Sequence, residues 1–323
     1  MSFHTHGILT TDETKTILAH IMTASNPTRP YHPSDIHPPL LLTTLQTLNT
    51  RLLPLDYEIR PTKSQSQPPT TYYALVNNAS DALTQLATTL SVPEMGFLRR
   101  LLDCMFETNC TQVREVMAVK GTMAVNLARP GRGGRDGRQS GVHGMGEGEE
   151  EGGVAPDPGI SLHEAEALLA KLVDNSFLEK SPRGYYSLAP RSLLELRSYL
   201  KETYNDDGDD DEEEGGGGGG VIRIRDCHGC KEIVTVGIRC NNRVCGVRWH
   251  DGCANAWYRG SKGGRERRCP LCKTVCGGNV FVGERADRVD GGGGGGGKGR
   301  GSSNGKGGGG YEEEEEEEMD DEE

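Results

Sequence analysis

Cys227-His228-Gly229-Cys230, Cys240, Cys245, Trp249-His250-Asp251-Gly252-Cys253 and Cys269-Pro270-Leu271-Cys272 place seven cysteines, with His250 among them, within 46 residues. The spacing is C-x2-C-x9-C-x4-C-x4-H-x2-C-x15-C-x2-C. Each CxxC or HxxC pair turns tightly enough for both side chains to reach one metal. Eight soft and borderline donors suit two tetrahedral zinc ions. The order fits a crossed arrangement. Cys227, Cys230, His250 and Cys253 would hold the first ion, and Cys240, Cys245, Cys269 and Cys272 the second. Crossing ties distant segments together, so a short segment with a poor apolar core can fold, with roughly 10 kcal/mol or more per structural site coming from the metal. Neither set leaves a position open for water, which argues for structural ions and against hydrolytic chemistry. His228 is expected to be exposed rather than a ligand, Cys276 to be a spare surface thiol, and Cys104 and Cys110 to pack among helices.

This ligand order is shared by the variant RING of ubiquitin ligases and by the plant homeodomain finger. Plant homeodomain fingers carry an aromatic two residues before the seventh ligand, where Arg267 stands. RING modules carry a proline after the seventh ligand and an aromatic between the sixth and seventh. Pro270 and Trp257 meet those requirements. RING is the favoured reading, and a chromatin reader of plant homeodomain type is the alternative.

Outward from this module the composition changes. The 323 residues hold 48 acids, 36 Lys plus Arg, 46 glycines and only 34% hydrophobic residues, with a net charge of -12. That excludes one compact enzyme domain using the whole length. The acids concentrate in runs at 147–151, 206–214 and 312–323; without them 25 acids face 36 bases. The acidity thus belongs to linkers and tail, and the remainder is basic. Residues 221–282 alone hold 12 Lys or Arg against 4 acids. Lys262, Arg265, Arg267 and Arg268 cluster there and could meet DNA phosphate, acids of another subunit or the chain's own acidic tail. No apolar stretch of 18 residues exists and the N-terminus has no signal pattern, which argues against membrane and secretion. Ten cysteines in an intracellular chain argue against a disulfide framework.

The region before the module reads as two helix-then-hairpin units. Thr10 to Glu13 is a capping-box pattern opening a helix near Thr11, and Leu41, Leu45, Leu48 and Leu52 mark a second helix that Pro54 ends. Residues 56–60 and 72–76 alternate like strands around a flexible Pro- and Ser-rich loop, 61–71, like the wing of a winged helix. Ser91 to Glu94 caps a further helix through Met105, and Cys110 to Leu127 is helical in pattern. Ser161 to Glu164 caps another helix bearing Ala165, Leu168, Leu169, Leu172 and Val173. Two short strands follow, around 181–184, and then a helix with Leu193, Leu196 and Leu200. The expected class is α+β. It comprises winged-helix-like domains at 1–106 and 107–204, with a disordered insertion at 130–159. An acidic and glycine linker at 205–220 leads to the cross-brace RING-like domain at 221–282 and a disordered tail at 283–323.

These pieces together resemble the non-structural maintenance of chromosomes element one family, a subunit of the Smc five-six complex. The similar stretches are 72–77 with Ser80-Asp81 and 84–88, then 164–178, Tyr186-Ser187-Leu188, 193–204 and the variant RING with Trp249-His250. The resemblance implies tandem winged helices docking a MAGE-type subunit, and a nuclear complex acting in DNA repair and recombination. It also implies ubiquitin ligase activity. A RING ligase forms no covalent intermediate and works by positioning a charged ubiquitin-conjugating enzyme. Trp257 is the candidate apolar contact to that enzyme, and Lys273 the candidate cationic linchpin. RING modules usually place a large aliphatic residue between the first two ligands, where His228 and Gly229 stand here, so activity is expected to need the partner. A non-catalytic adaptor of the complex is the competing reading.

Overall fold

The computed structural model describes residues 7–79, 86, 88–130, 159–206, 221–259 and 266–290. The chain forms two compact units, Met1–Arg288 and Val289–Glu323, and the elements that follow belong to the first. Ser80-Asp81, most of 84–88, Lys262, Arg265 and most of the expected insertion, linker and tail lie outside the described residues.

A short strand, β1 (Ile8–Thr10), leads into α1 (Thr11–Ser25), whose capping box joins Thr10 and Glu13. The next helix, α2 (Pro38–Leu52), begins with proline, whose missing N–H costs nothing in a first turn. The hairpin β2 (Tyr57–Lys63) and β3 (Thr71–Asn77) pairs in register from Tyr57 opposite Asn77 to Lys63 opposite Thr71. β1 adds to the other edge of β3, giving the order β1-β3-β2. Ala19, Ile36, Leu41, Leu45, Ile59 and Tyr73 form a core of their own.

The plan then repeats. α3 (Val92–Asp103) ends in a π turn at Cys104–Thr108 and is followed by β4 (Val119–Lys120) and α4 (Gly121–Asn126). Then come α5 (Leu162–Asp174), β5 (Leu178–Lys180) and β6 (Tyr185–Leu188). The sheet order is β4-β6-β5, again a short strand on the outer edge of a hairpin. Strand, helix, helix, hairpin thus occurs twice, the arrangement of a winged helix. Two sequence expectations change here. Residues 110–120 are not helical: Cys110 bridges Glu115 and β4 pairs with β6, because Glu115 is drawn into a buried ion pair described below. A division at residue 106 also fails, since Phe97, Leu98, Leu101 and Leu102 of α3 share one core with Leu168, Leu169 and Leu172 of α5 and none with the first winged helix.

The expected last helix is two, α6 (Pro190–Glu195) and α7 (Arg197–Tyr204), broken at Leu196. The cysteine-rich module has β7 (Gly237–Arg239), β8 (Arg248–Trp249), α8 (Asp251–Arg259) and β9 (Phe281–Val282), in sheet order β8-β7-β9. Gly237 is obligatory: a Cβ there would lie 2.0 Å from the Trp249 carbonyl oxygen. The chain beyond residue 282 does not leave the fold at once, as the expected tail boundary had it. Glu284 accepts from the Ser181 hydroxyl and Asp287 from the Tyr185 hydroxyl, so this turn folds back on the second hairpin. No helix among the described residues is long and apolar enough to cross a membrane.

Candidate metal centre

Two tight turns build the ends of the module, and they are alike. Lys231 N–H donates to the Cys227 carbonyl at 3.0 Å, and Lys273 N–H to that of Cys269 at 3.1 Å. Each lysine takes a left-handed backbone, φ 65° and 60°. Each first cysteine donates its own N–H onward, Cys227 to Glu232 and Cys269 to Thr274. Both turns therefore present two sulfurs to one point. In the first, Gly229 lets the Cys253 side chain approach, since a Cβ at 229 would stand 3.2 Å from Cys253 Cβ.

The ligand atoms gather in two groups. Cys227, Cys230, His250 and Cys253 have theirs within 4.8 Å of one another, as do Cys240, Cys245, Cys269 and Cys272. The grouping is the crossed one: the outer pairs of the sequence alternate between sites. Cys230 Sγ is 3.3 Å and Cys253 Sγ 4.0 Å from His250 Nδ1. Cys240 and Cys272 sulfurs are 3.4 Å apart, and those of Cys245 and Cys269 3.6 Å. Zinc–sulfur bonds of about 2.3 Å put tetrahedral edges near 3.8 Å, so these spacings match a shared four-coordinate centre. His250 Nε2–H donates to the Ile233 carbonyl at 3.1 Å, which orients the ring with Nδ1 toward the sulfurs.

The electrostatics of these thiols fit a cation as well. Burial works against the Cys227 thiolate, yet hydrogen bonds from His250 and from the backbone of Cys230 and Gly229 outweigh it and bring its pKa to about 6. Its neighbours go the other way: burial and the Cys227 charge raise Cys230, and they raise Cys253 to about 12. In the second group the Thr274 hydroxyl and backbone lower Cys272 to about 6, while burial raises Cys240 and Cys245. Thiols this close suppress one another's ionisation, and a divalent ion reverses that by deprotonating its ligands. Nitrogen and sulfur donors with no carboxylate among them suit zinc.

Other predicted residues fall as follows. His228 is outside both ligand groups and stands edge-on to Trp249 and Trp257, with centroids 6.0 and 5.1 Å away. Trp249 is fully buried, whereas Trp257 on α8 is 48% exposed. Lys273 is exposed, and its ammonium donates to the Pro270 carbonyl at 2.7 Å. Cys104 and Cys110 are buried, as expected, and burial pushes the Cys110 thiol to about 12. Cys276, expected at the surface, is only 3% exposed, because its sulfur packs 3.8 Å from that of Cys240.

Sequence reasoning missed the residues that hold the module in place. Glu115, 6% exposed, accepts from Arg248 Nε and Nη2 at 2.7 and 2.5 Å and forms an ion pair with Arg239 Nη1 at 2.9 Å. This buried fork joins the second winged helix to β7 and β8. Arg197 and Lys201 of α7 add ion pairs to Asp226 and Glu232. From the first winged helix, Gln65 donates to the Ile233 carbonyl at 2.9 Å and accepts from Thr235 and Val236 N–H at 2.9 and 2.8 Å. The wing expected to be flexible is thus pinned. Only a long polar side chain in a loop marked Gln65, and nothing in the sequence marked Glu115, which follows Arg114.

Comparison with known proteins follows this geometry. Residues 2–196 match the family model described as Nse1 non-SMC component of SMC5-6 complex. The chain belongs to the Nse1 family. Residues 227–272 match the RING-like domain model, so the module is a RING-like zinc-binding region. The "Non-structural maintenance of chromosomes element 1 homolog" of Homo sapiens is 23% identical over 270 residues, covering 83% of this chain and 78% of that relative. The homolog of Xenopus tropicalis is 26% identical over 226 residues, 70% and 64% of the two chains. A chain of the solved "Nse1-Nse3-Nse4 complex" aligns with TM-score 0.56 at 20% identity, over 85% of this chain and 93% of that one. That likeness supports the winged-helix-like arrangement found here for an Nse1 family member.

Proposed function

We propose that this chain is the RING-type ubiquitin ligase subunit of an SMC5-6 complex, bound to an Nse3-type MAGE subunit and an Nse4-type subunit. It acts in the nucleus in DNA repair and recombination. Two zinc ions, one in each ligand group, hold the module as a rigid platform and take no part in bond making. The observation that carries the ligase reading is the exposure of Trp257, at 48%, and Leu271, at 68%, beside the ligands of opposite sites. Large apolar side chains left in water on a small zinc-held module suit a docking partner. A conjugating enzyme seated there would have its thioester held in a reactive pose, with the acceleration coming from orientation. Lys273 would exchange the Pro270 carbonyl for the ubiquitin–enzyme interface. Contact with DNA phosphate would fall to the basic residues Arg267 and Arg268, with Lys262 and Arg265.

The adaptor reading has its own support. The Glu115 fork, the α7 ion pairs and Gln65 all fix the module in place, and His228-Gly229 supply no aliphatic contact. Release of ubiquitin from a charged conjugating enzyme, with and without the Nse3- and Nse4-type subunits, separates the two. Stimulation that needs the partners and falls at least tenfold in Trp257→Ala, with unchanged assembly, supports the ligase. No stimulation in any combination leaves the adaptor.

A further inference from the structure

We propose that Cys276 is a reserve ligand of the second metal, able to take the place of Cys272 and keep that ion bound by four thiolates. The inference rests on the zinc reading above and concerns a residue outside both ligand groups.

Five sulfurs gather at this end of the module, one more than a tetrahedral ion uses. Cys276 Sγ is 3.8 Å from Cys240 Sγ, the length of a tetrahedral edge, against 3.4 and 3.6 Å for the Cys240–Cys272 and Cys245–Cys269 pairs. Cys276 and Cys272 flank Thr274 on one hairpin, closed by the Arg268–Val275 bridge. The Thr274 hydroxyl is 3.3 Å from Cys272 Sγ and its carbonyl 3.6 Å from Cys276 Sγ. The two thiols thus stand on either side of one residue. Cys272 is half-buried, whereas Cys240, Cys245 and Cys269 are buried, so a reagent in solvent meets Cys272 first.

A second, independent feature points to the same spot. Tyr258 is 7% exposed, and its hydroxyl makes no conventional hydrogen bond. Burial is the first cause that raises its pKa, and the Cys276 side chain is the second. A phenol left without an oxygen or nitrogen partner is suited to donate to sulfur that carries charge. A thiolate at Cys276 on the ion would give it that partner. The exchange would be a ligand substitution: Cys272 would leave the ion and take up a proton or the alkylating group, while the Cys276 thiol would give its proton to solvent and bind in its place.

The test uses the full chain and reads bound zinc by elemental analysis, with cobalt(II) in zinc's place to count thiolates from the charge-transfer band. Wild type, Cys272→Ala and Cys276→Ala should each hold two ions, and the double variant one. Cys272→Ala should keep the four-thiolate cobalt spectrum. A loss of one ion in Cys272→Ala alone, or two ions in the double variant, overturns the reserve-ligand role. A wild type with fewer than two ions overturns the zinc reading itself. If Cys272→Ala does not fold, N-ethylmaleimide on folded protein replaces it. Wild type should keep its second ion after Cys272 is alkylated and Cys276→Ala should lose it, and equal loss from both rejects the role.

Discussion

Glu115 shows how much one side chain can decide. It offers two carboxylate oxygens to two buried guanidiniums, and no other ion pair of Arg248 is found among the described residues, its Nη1 donating to the Cys245 and Val247 carbonyls. Removing one member of such a pair strands the rest in a poor solvent for charge, at a cost of about 3–5 kcal/mol. Glu115→Ala is therefore expected to lower stability by that much, read by denaturant unfolding of the folded, metal-loaded chain. A loss below about 1 kcal/mol would mean that the fork is not holding the module. The sequence does not announce this pair. Period and hydropathy mark what is apolar, and a lone acid at 115 looks like any surface carboxylate. The zinc ligands were legible for the opposite reason: thiols in close pairs have few other uses, and their order alone separated the two sites. Cys276 was misjudged because nothing in the spacing says which of eight neighbouring thiols faces inward.

Local rules worked best at helix starts. Thr10, Ser91 and Ser161 each have a glutamate three residues on, and each forms the reciprocal cap. Hydrogen bonds from the Ser91 backbone, opposed by burial and aided by the Ser91 hydroxyl, hold Glu94 below 4.5; the Ser161 backbone and hydroxyl do the same for Glu164. A carboxylate depressed on folding contributes stability that is present above its unfolded pKa and lost as pH falls through the folded one. The titration midpoints of Glu94 and Glu164, followed by carboxyl NMR shifts, are thus expected below 4.5, with first-turn amides of α3 and α5 exchanging faster once the pH drops past them. Midpoints at or above 4.5 would rule out the caps. Short elements were not legible. β1 has three residues and β4 two, too few to show a period, and both exist because the neighbouring hairpin edge offers its unpaired backbone. The same weakness let residues 110–120 pass for helix.

At the scale of the molecule, the first winged helix keeps its own core, while the second shares one with the zinc module. Chelation is expected to act along that division. Loss of structural zinc, about 10–16 kcal/mol per site in model peptides, should abolish amide protection at 227–259 and 266–282 and weaken it in α3 and α5. Protection around Ala19, Leu41 and Ile59 should persist. Protection of the module surviving chelation, or simultaneous collapse of the first core, would contradict this. One carbonyl, that of Ile233, accepts a hydrogen bond from the candidate zinc ligand His250 on one side and from the wing's Gln65 on the other. With the Glu115 fork behind it, the module has no swivel. Whatever grips the winged helices therefore also sets the compass heading of Trp257, and a guest seated on that indole would travel with the complex like a lamp on a fixed bracket, lighting only the acceptors that pass through its beam.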